Sequence, residues 1–196
     1  AARDGDVHWP EWERKVEDLR HNAARLLRAA PEEIALLRST TEGVNLVAEG
    51  IPWRVGDNVV TLADEFPTNQ YAWLNQADRG VETRRIPVGP EGVDLETIAA
   101  ACDRRTRIVT ISWVSYCTGR RVDLAQLAEI AHRRGALLFV DGIQGLGVLP
   151  LDVRTKARSV PRRSKRAGSA TTCVRATDRI ERSGTLSTVA VTSRIA

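Results

Sequence analysis

Leu137-Leu138-Phe139-Val140-Asp141-Gly142-Ile143-Gln144 is the stretch on which the fold turns. Four apolar residues run straight into a carboxylate and a glycine. A continuous apolar run of this length, bounded by turn residues, reads as a strand buried on both faces of a parallel sheet. Asp141 then closes the strand at its carboxyl end, where α/β sheets hold their ligands. A carboxylate there costs free energy unless something pairs with it. The alternative reading is local: Asp141 bonding the amides of its own turn.

The surrounding sequence supports a sheet of this kind. Strands are expected at Ile34–Arg38, Asn58–Leu62, Val81–Ile86, Ile108–Ser112 and Leu137–Val140. Between them lie helical stretches, from about Thr41 to Glu49, Asn69 to Arg79, Leu95 to Ala101 and Leu124 to Arg134. Gly80, Gly135 and the pairs Gly56-Asp57 and Gly89-Pro90 punctuate them as turn residues do. Strand and helix in alternation predict an α/β fold: a mainly parallel sheet with helices on both faces. Ahead of it, residues 10–29 carry Trp12, Val16, Leu19, Ala23, Leu26 and Leu27 at helical spacing, with Pro10 in the first turn.

Charge divides the chain. Residues 1–153 carry a net charge of −5 and residues 154–196 one of +9. The second segment has 13 Ser/Thr and no aromatic residue, so little apolar surface is available to offset the entropy of ordering. It reads as a basic tail, disordered or unrelated to what precedes it. Residues 186–191 are its one strand-like stretch. The organisation expected is therefore a domain over 1–153 and a tail over 154–196. Three scattered cysteines, Cys102, Cys117 and Cys173, fit neither a disulfide framework nor a zinc site, and suit a reducing cytoplasm. No apolar window approaches a membrane span. The histidines are scattered too; His132 reads as a solvated or capping residue on a polar helix end. No metal site is expected. The chain contains no methionine and begins with Ala, which fits a trimmed chain or a fragment.

Two more strand ends stand out. Ser39-Thr40-Thr41-Glu42-Gly43-Val44-Asn45 follows the first strand and opens a helix. Its hydroxyls and the free amides of a helix N-terminus suit an anion, and equally a simple N-terminal cap. Asp64-Glu65-Phe66-Pro67-Thr68-Asn69 follows the second strand. Phe66 can stack on a flat ring there; the plainer reading is a turn in which Asn69 caps the next helix.

Taken in order, four segments resemble the class V aminotransferase family of pyridoxal-phosphate (PLP) enzymes of fold type I. They are STTEGVNLVAEG, EFPTNQYAW, VSYCTGRRVDLAQLAEIAHRRGA and LLFVDGIQGLG, and the resemblance covers about residues 9–153. It implies that Thr40 and Thr41 hold the cofactor phosphate, Phe66 stacks on the pyridine ring and Asp141 pairs with the ring nitrogen. Gln144 would reach the ring's phenolic oxygen, and Ser115, with Tyr116, would lie near the same ring. Asp141 carries the catalytic role by keeping the ring protonated. The family acts on amino acids, as a homodimer. Cysteine desulfurases have histidine where Phe66 stands and kynureninases have Phe, so the resemblance leans away from desulfurases, towards kynureninase-like, epimerase-like or aminotransferase members.

The resemblance fails after Asp152. The family's Schiff-base lysine lies some 25 residues beyond the Gln, usually in a His-Lys pair. Here RSKRAGSATTC occupies that place, and Lys156 and Lys165 are the only lysines beyond Lys15. The family's small C-terminal domain is not in this sequence. The chain thus reads as a truncated, inactive member binding PLP weakly and without a covalent link. The family's strand order, 3-2-4-5-6-7-1, would lack strands 6 and 7, leaving strand 1 cut off and the remaining domain marginal. A nucleic-acid-binding module using the Arg-rich tail is the rival reading, and the tail's lack of aromatic residues weighs against it.

Overall fold

The computed structural model describes residues 5–153 and the backbone of two further segments, 169–175 and 188–194. Its strands are β1 (Ile34–Leu37), β2 (Asn58–Leu62), β3 (Glu82–Ile86), β4 (Thr106–Ser112), β5 (Leu137–Asp141), β6 (Ser169–Arg175) and β7 (Thr188–Arg194). Its helices are α1 (Trp9–Leu27), α2 (Thr40–Gly50), α3 (Thr68–Leu74), α4 (Leu95–Ala101) and α5 (Leu124–Arg133). One seven-stranded sheet holds every strand in the order β1-β7-β6-β5-β4-β2-β3. The α/β class expected from the alternation is the fold observed.

Side-chain alternation along the central strands builds two cores. On β4 and β5, Val109, Ile111, Leu138 and Val140 join Ala23 and Leu27 of α1, Ile98 of α4 and Leu127 and Ala131 of α5. The intervening Ile108 and Phe139 face the other way, onto Val44 and Ala48 of α2 and Ala72 and Trp73 of α3. Trp73 and Phe139 meet edge to face with ring centroids 5.5 Å apart, a favoured aromatic arrangement. Both faces of these strands are covered, which is why their sequences are apolar throughout rather than alternating.

Two segments of the tail complete the sheet, which corrects the expectation that strands 6 and 7 are missing. β6 pairs parallel with β5, from Phe139↔Thr171 to Asp141↔Cys173. β7 pairs antiparallel with β6 and with β1, where Val191 sits opposite Thr172 on one side and Ile34 on the other. No two-strand gap separates β1 from β5. Backbone pairing at the centre of a sheet needs only N–H and C=O groups, so a polar segment can supply it. The rest of residues 154–196, on which the expectation of disorder also falls, lies outside the described residues.

The directions matter more than the count. β7 is the one antiparallel member, so its two neighbours β1 and β6 run the same way. β1, β2, β3, β4, β5 and β6 therefore share one carboxyl edge, and the loops that follow β1, β2, β4 and β5 open onto it.

Helix α1 stands where the periodicity puts it, but only part of its apolar stripe is covered. Ala23, Ala24 and Leu27 are buried, whereas Trp9, Trp12, Val16 and Leu26 remain exposed. Only the last turns dock, tied by the Val153 amide donating to the Leu27 carbonyl at 3.2 Å and by an Arg28–Asp152 ion pair at 3.2 Å. Among the described residues no helix is long and apolar enough to cross a membrane.

A proline at Val191 tests the topology. It removes an amide from a strand paired on both sides. Hydrogen exchange of Val191→Pro should show faster exchange throughout β1 and β6, with β2, β3 and β4 still protected. Unchanged protection of β1 would mean that β7 does not hold it.

Candidate functional site

The carboxyl edge gathers most of the residues singled out from sequence. At the end of β1, Ser39 caps α2: its hydroxyl accepts from the Glu42 amide at 3.1 Å. Glu42 in turn accepts from the Arg38 amide at 2.9 Å, and its carboxyl is held below the ordinary carboxylate range by the Arg38 bonds. The first-turn acid is thereby held on Arg38. The Thr41 hydroxyl lies 3.1 Å from that of Thr68, at the start of α3. This contact joins the loop after β1 to the loop after β2. Thr40 is half-buried in the same turn.

Phe66 lies two residues before Thr68, 45% exposed. Its ring meets Tyr116 edge to face, with centroids 5.3 Å apart and planes at 86°. Tyr116 belongs to the loop after β4, so Phe66 links a second pair of loops. Ser115, beside it, accepts from the amides of Cys117 and Thr118, both at 3.3 Å. Gln144 is exposed on the turn after β5.

Asp141 is 2% exposed. By alternation it follows Phe139 onto the sheet face covered by α2 and α3, the face that carries Thr41 and Phe66. Its one side-chain partner among the described residues is the Ile143 amide, at 3.1 Å, and no cation pairs with it. Burial pushes its carboxyl above the ordinary range, against that single hydrogen bond. The turn is pinned from behind: the Trp113 amide donates to the Asp141 carbonyl at 2.8 Å. A β-carbon on Gly145 would sit 2.5 Å from the Trp113 ring, so this turn requires glycine there.

Glu65 was not singled out for a role from sequence, yet it is the most connected group at this edge. It is 4% exposed. It accepts from the Ser112 amide at 2.7 Å, from the Ser112 hydroxyl, and from the Asn69 side chain at 3.2 Å. Burial pushes its carboxyl up, and the negative charge of Asp141 adds to this. Ser112 sits opposite Asp141 in the β4–β5 register, so two buried carboxyls flank one serine. Asn69 is fully buried and does not cap α3, as the sequence had suggested; its oxygen accepts from Thr110 at 2.7 Å and Trp73 at 3.0 Å. His132 is likewise not the solvated group expected: it is half-buried, its Nε2 has no hydrogen-bond partner among the described residues, and burial lowers its pKa. Buried Cys102 has its thiol pushed up to about 11 by burial, which makes it a poor nucleophile. Among the described residues no His, Cys, Asp and Glu cluster suits a metal.

Known proteins share this fold and this family of sequence. The family described as Aminotransferase class-V matches residues 6–157. A probable cysteine desulfurase of Methanothermobacter thermautotrophicus is 37% identical over 142 residues, covering 72% of this chain and 36% of that protein. A cysteine desulfurase of Escherichia coli K12 is 37% identical over 148 residues, covering 71% and 36%. A variant of C-DES with glycine covalently linked to its PLP cofactor superimposes with a TM-score of 0.80 at 20% identity, over 97% of this chain and 49% of that one. The chain belongs to the class V aminotransferase family. It spans about a third of the length of the curated relatives it matches. Those relatives are named as desulfurases, which runs against the lean drawn from Phe66.

The uncompensated charge of Asp141 has a consequence for stability. A carboxyl whose folded-state pKa is raised stabilises the fold fully below its unfolded pKa, and that stability is lost as pH rises through the folded value. Asp141→Asn removes the charge and keeps the shape. Without ligand, the variant should exceed the parent by about 1–3 kcal/mol at neutral pH, the cost of an uncompensated buried polar group, and match it at acid pH. Urea denaturation at several pH values measures this. A variant less stable than the parent at neutral pH would mean that Asp141 is already compensated.

Proposed function

We propose that this chain is the cofactor-binding part of a PLP-dependent enzyme acting on an amino acid, and that it holds PLP without a covalent link. The observation that carries the proposal is the buried Asp141 carboxylate at the carboxyl edge of the sheet, which has no cationic partner among the described residues. A protonated pyridine nitrogen supplies the missing charge and a hydrogen-bond donor together. At the other end of the site, the Thr41 and Thr68 hydroxyls and the first turn of α2 offer donors suited to a phosphate. Phe66, partly open, would lie against the ring, and Thr40, Ser115 and Gln144 would complete its surroundings. When bound, the cofactor supplies an electron sink for bonds breaking at the Cα of an amino acid.

The described residues suit the ring and the phosphate, and their one lysine, Lys15, lies on α1 and pairs with Glu11. Asp141 pairs in register with Cys173, near the end of β6, and β6 ends at Arg175. The sequence has no lysine after Lys165, which precedes β6. Asp141 would hold the ring proton whether or not a lysine is present, so binding and turnover separate in this chain. We further propose a cytoplasmic homodimer; the exposed Trp9, Trp12 and Val16 face of α1 supports a second copy as its cover.

Titration of the purified protein with PLP, followed by absorbance and dialysis, tests the reading. The parent should bind reversibly, and borohydride reduction should leave no pyridoxyl mass on Lys15, Lys156 or Lys165. Asp141→Asn should bind about tenfold more weakly or worse, since a charge-assisted hydrogen bond is worth about 1.5–3 kcal/mol. A stoichiometric adduct on any of these lysines would overturn the non-covalent reading. Equal binding by the variant would remove Asp141 from the site.

A further inference from the structure

Residues 65–69, in the turn after β2, divide sharply by exposure. Glu65 and Asn69 are buried, Phe66 and Pro67 are exposed, and Thr68 is half-buried. The outer members meet other loops, Phe66 at Tyr116 and Thr68 at Thr41. The inner members fasten the turn to β4. Glu65 Oε1 accepts from the Ser112 amide at 2.7 Å, and its Oε2 accepts from the Ser112 hydroxyl and from Asn69 Nδ2 at 3.2 Å. Asn69 in turn accepts from Thr110. Gln70 closes the turn, its side chain donating to the carbonyls of Ala63 at 3.1 Å and Glu65 at 2.8 Å.

These donors decide which form of Glu65 fits. The Ser112 amide can only donate. The Asn69 side chain is fixed as well: its oxygen faces Trp73 Nε1, a donor only, so its NH2 group turns to Glu65. The two donors reach different oxygens, and a carboxylate accepts both. Of these partners, only the Ser112 hydroxyl can turn round to accept a carboxyl proton. The surroundings are therefore matched to the anion, although burial and the charge of Asp141 oppose it.

A second acid bears on the same serine. Ser112 and Asp141 are register partners on parallel strands, so their side chains leave the same face of the sheet. The titratable groups around Glu65 are Asp141 of β5, Tyr116 of the loop after β4, which feels the Glu65 charge, and Asp64 beside it. Exposed Arg120 lines the cleft that Asp64 and Glu65 border. Among the described residues no cation bonds to Glu65 or to Asp141. Two like charges so placed oppose each other, and a cation at Asp141 lets both stand.

We propose that Glu65 is a positioning residue with two actions: its carboxylate clamps the Phe66 turn onto β4, and its negative charge, across Ser112, disfavours a lone negative charge on Asp141 and so favours a cationic partner there. That this cation is the ring of PLP rests on the reading above; the coupling of the two acids does not.

Carbon-13 NMR of the labelled side-chain carboxyls, titrated with pH in the ligand-free protein, decides it. Glu65→Gln keeps the length and removes the charge, and Asp141 should then titrate at lower pH than in the parent. Glu65→Asp keeps the charge and shortens the reach. Asp141 should there titrate closer to the parent, while the amides of residues 65–69 exchange faster. Coupling is reciprocal, so Asp141→Asn should lower the titration of Glu65, which decides the matter if circular dichroism shows Glu65→Gln unfolded. Glu65→Gln should also bind PLP about fivefold more weakly than the parent, or worse. A residue that only braces the turn would loosen it in both Glu65 variants and leave both titrations in place. That result, or equal PLP binding by Glu65→Gln and a parent that binds it, overturns the proposal and leaves the cofactor reading untouched. If the titrations move as stated but the parent takes up no PLP, the Glu65 assignment stands and the cofactor reading falls.

Discussion

A carboxylate taken out of water at the end of a parallel strand sets the terms for the rest of this molecule. Among the described residues, Asp141 gets one amide hydrogen bond and no cation. Folding must hold it there against the tendency of a buried charge to stay solvated or to take up a proton. Three features do so. Phe139 and Val140 fix the strand in two cores, Trp113 bonds the Asp141 carbonyl, and Gly145 lets the turn close against the Trp113 ring. Glu65 adds a second buried acid across Ser112. Two buried carboxyls this near each other, with no cation among the described residues, raise each other's cost of ionisation.

Strand direction turns that local feature into a site. β5 and β6 run parallel, and β7 runs against both β6 and β1. This single reversal brings the carboxyl end of β1, and with it the Ser39–Thr41 turn, to the edge that carries Asp141. Two side-chain contacts then tie the loops together. Thr41 meets Thr68, and Phe66 meets Tyr116. Both contacts lie between loops anchored to the one sheet. A change in the pairing of β7 would move the Ser39–Thr41 turn relative to Asp141 without altering either residue.

The sequence was informative where structure is local. The first five strands and the capped start of α2 follow from strand-like runs, turn glycines and Ser39 itself, and they stand within two residues of where the pattern puts them. Residues whose roles depend on distant partners were not legible. Glu65 and Asn69 read as turn residues because the groups that engage them, Ser112 and Thr110, are 47 and 41 positions away. β6, with the sequence SATTCVR, has no apolar pattern to announce it. On α1 the helix was legible but its burial was not, since periodicity marks a face without saying what covers it. Gln144 shows the opposite limit: a family motif names it, and the structure leaves it exposed.

The account stands or falls on the charge state of Asp141. Carbon-13 NMR of the labelled side-chain carboxyl, titrated with pH, reports that state directly. Without ligand the carboxyl should titrate above the ordinary aspartate range, as its burial requires. With saturating PLP it should fall below that range, because a pyridinium partner favours the charged form. An Asp141 carboxyl that titrates normally, or that is indifferent to PLP, would contradict the account.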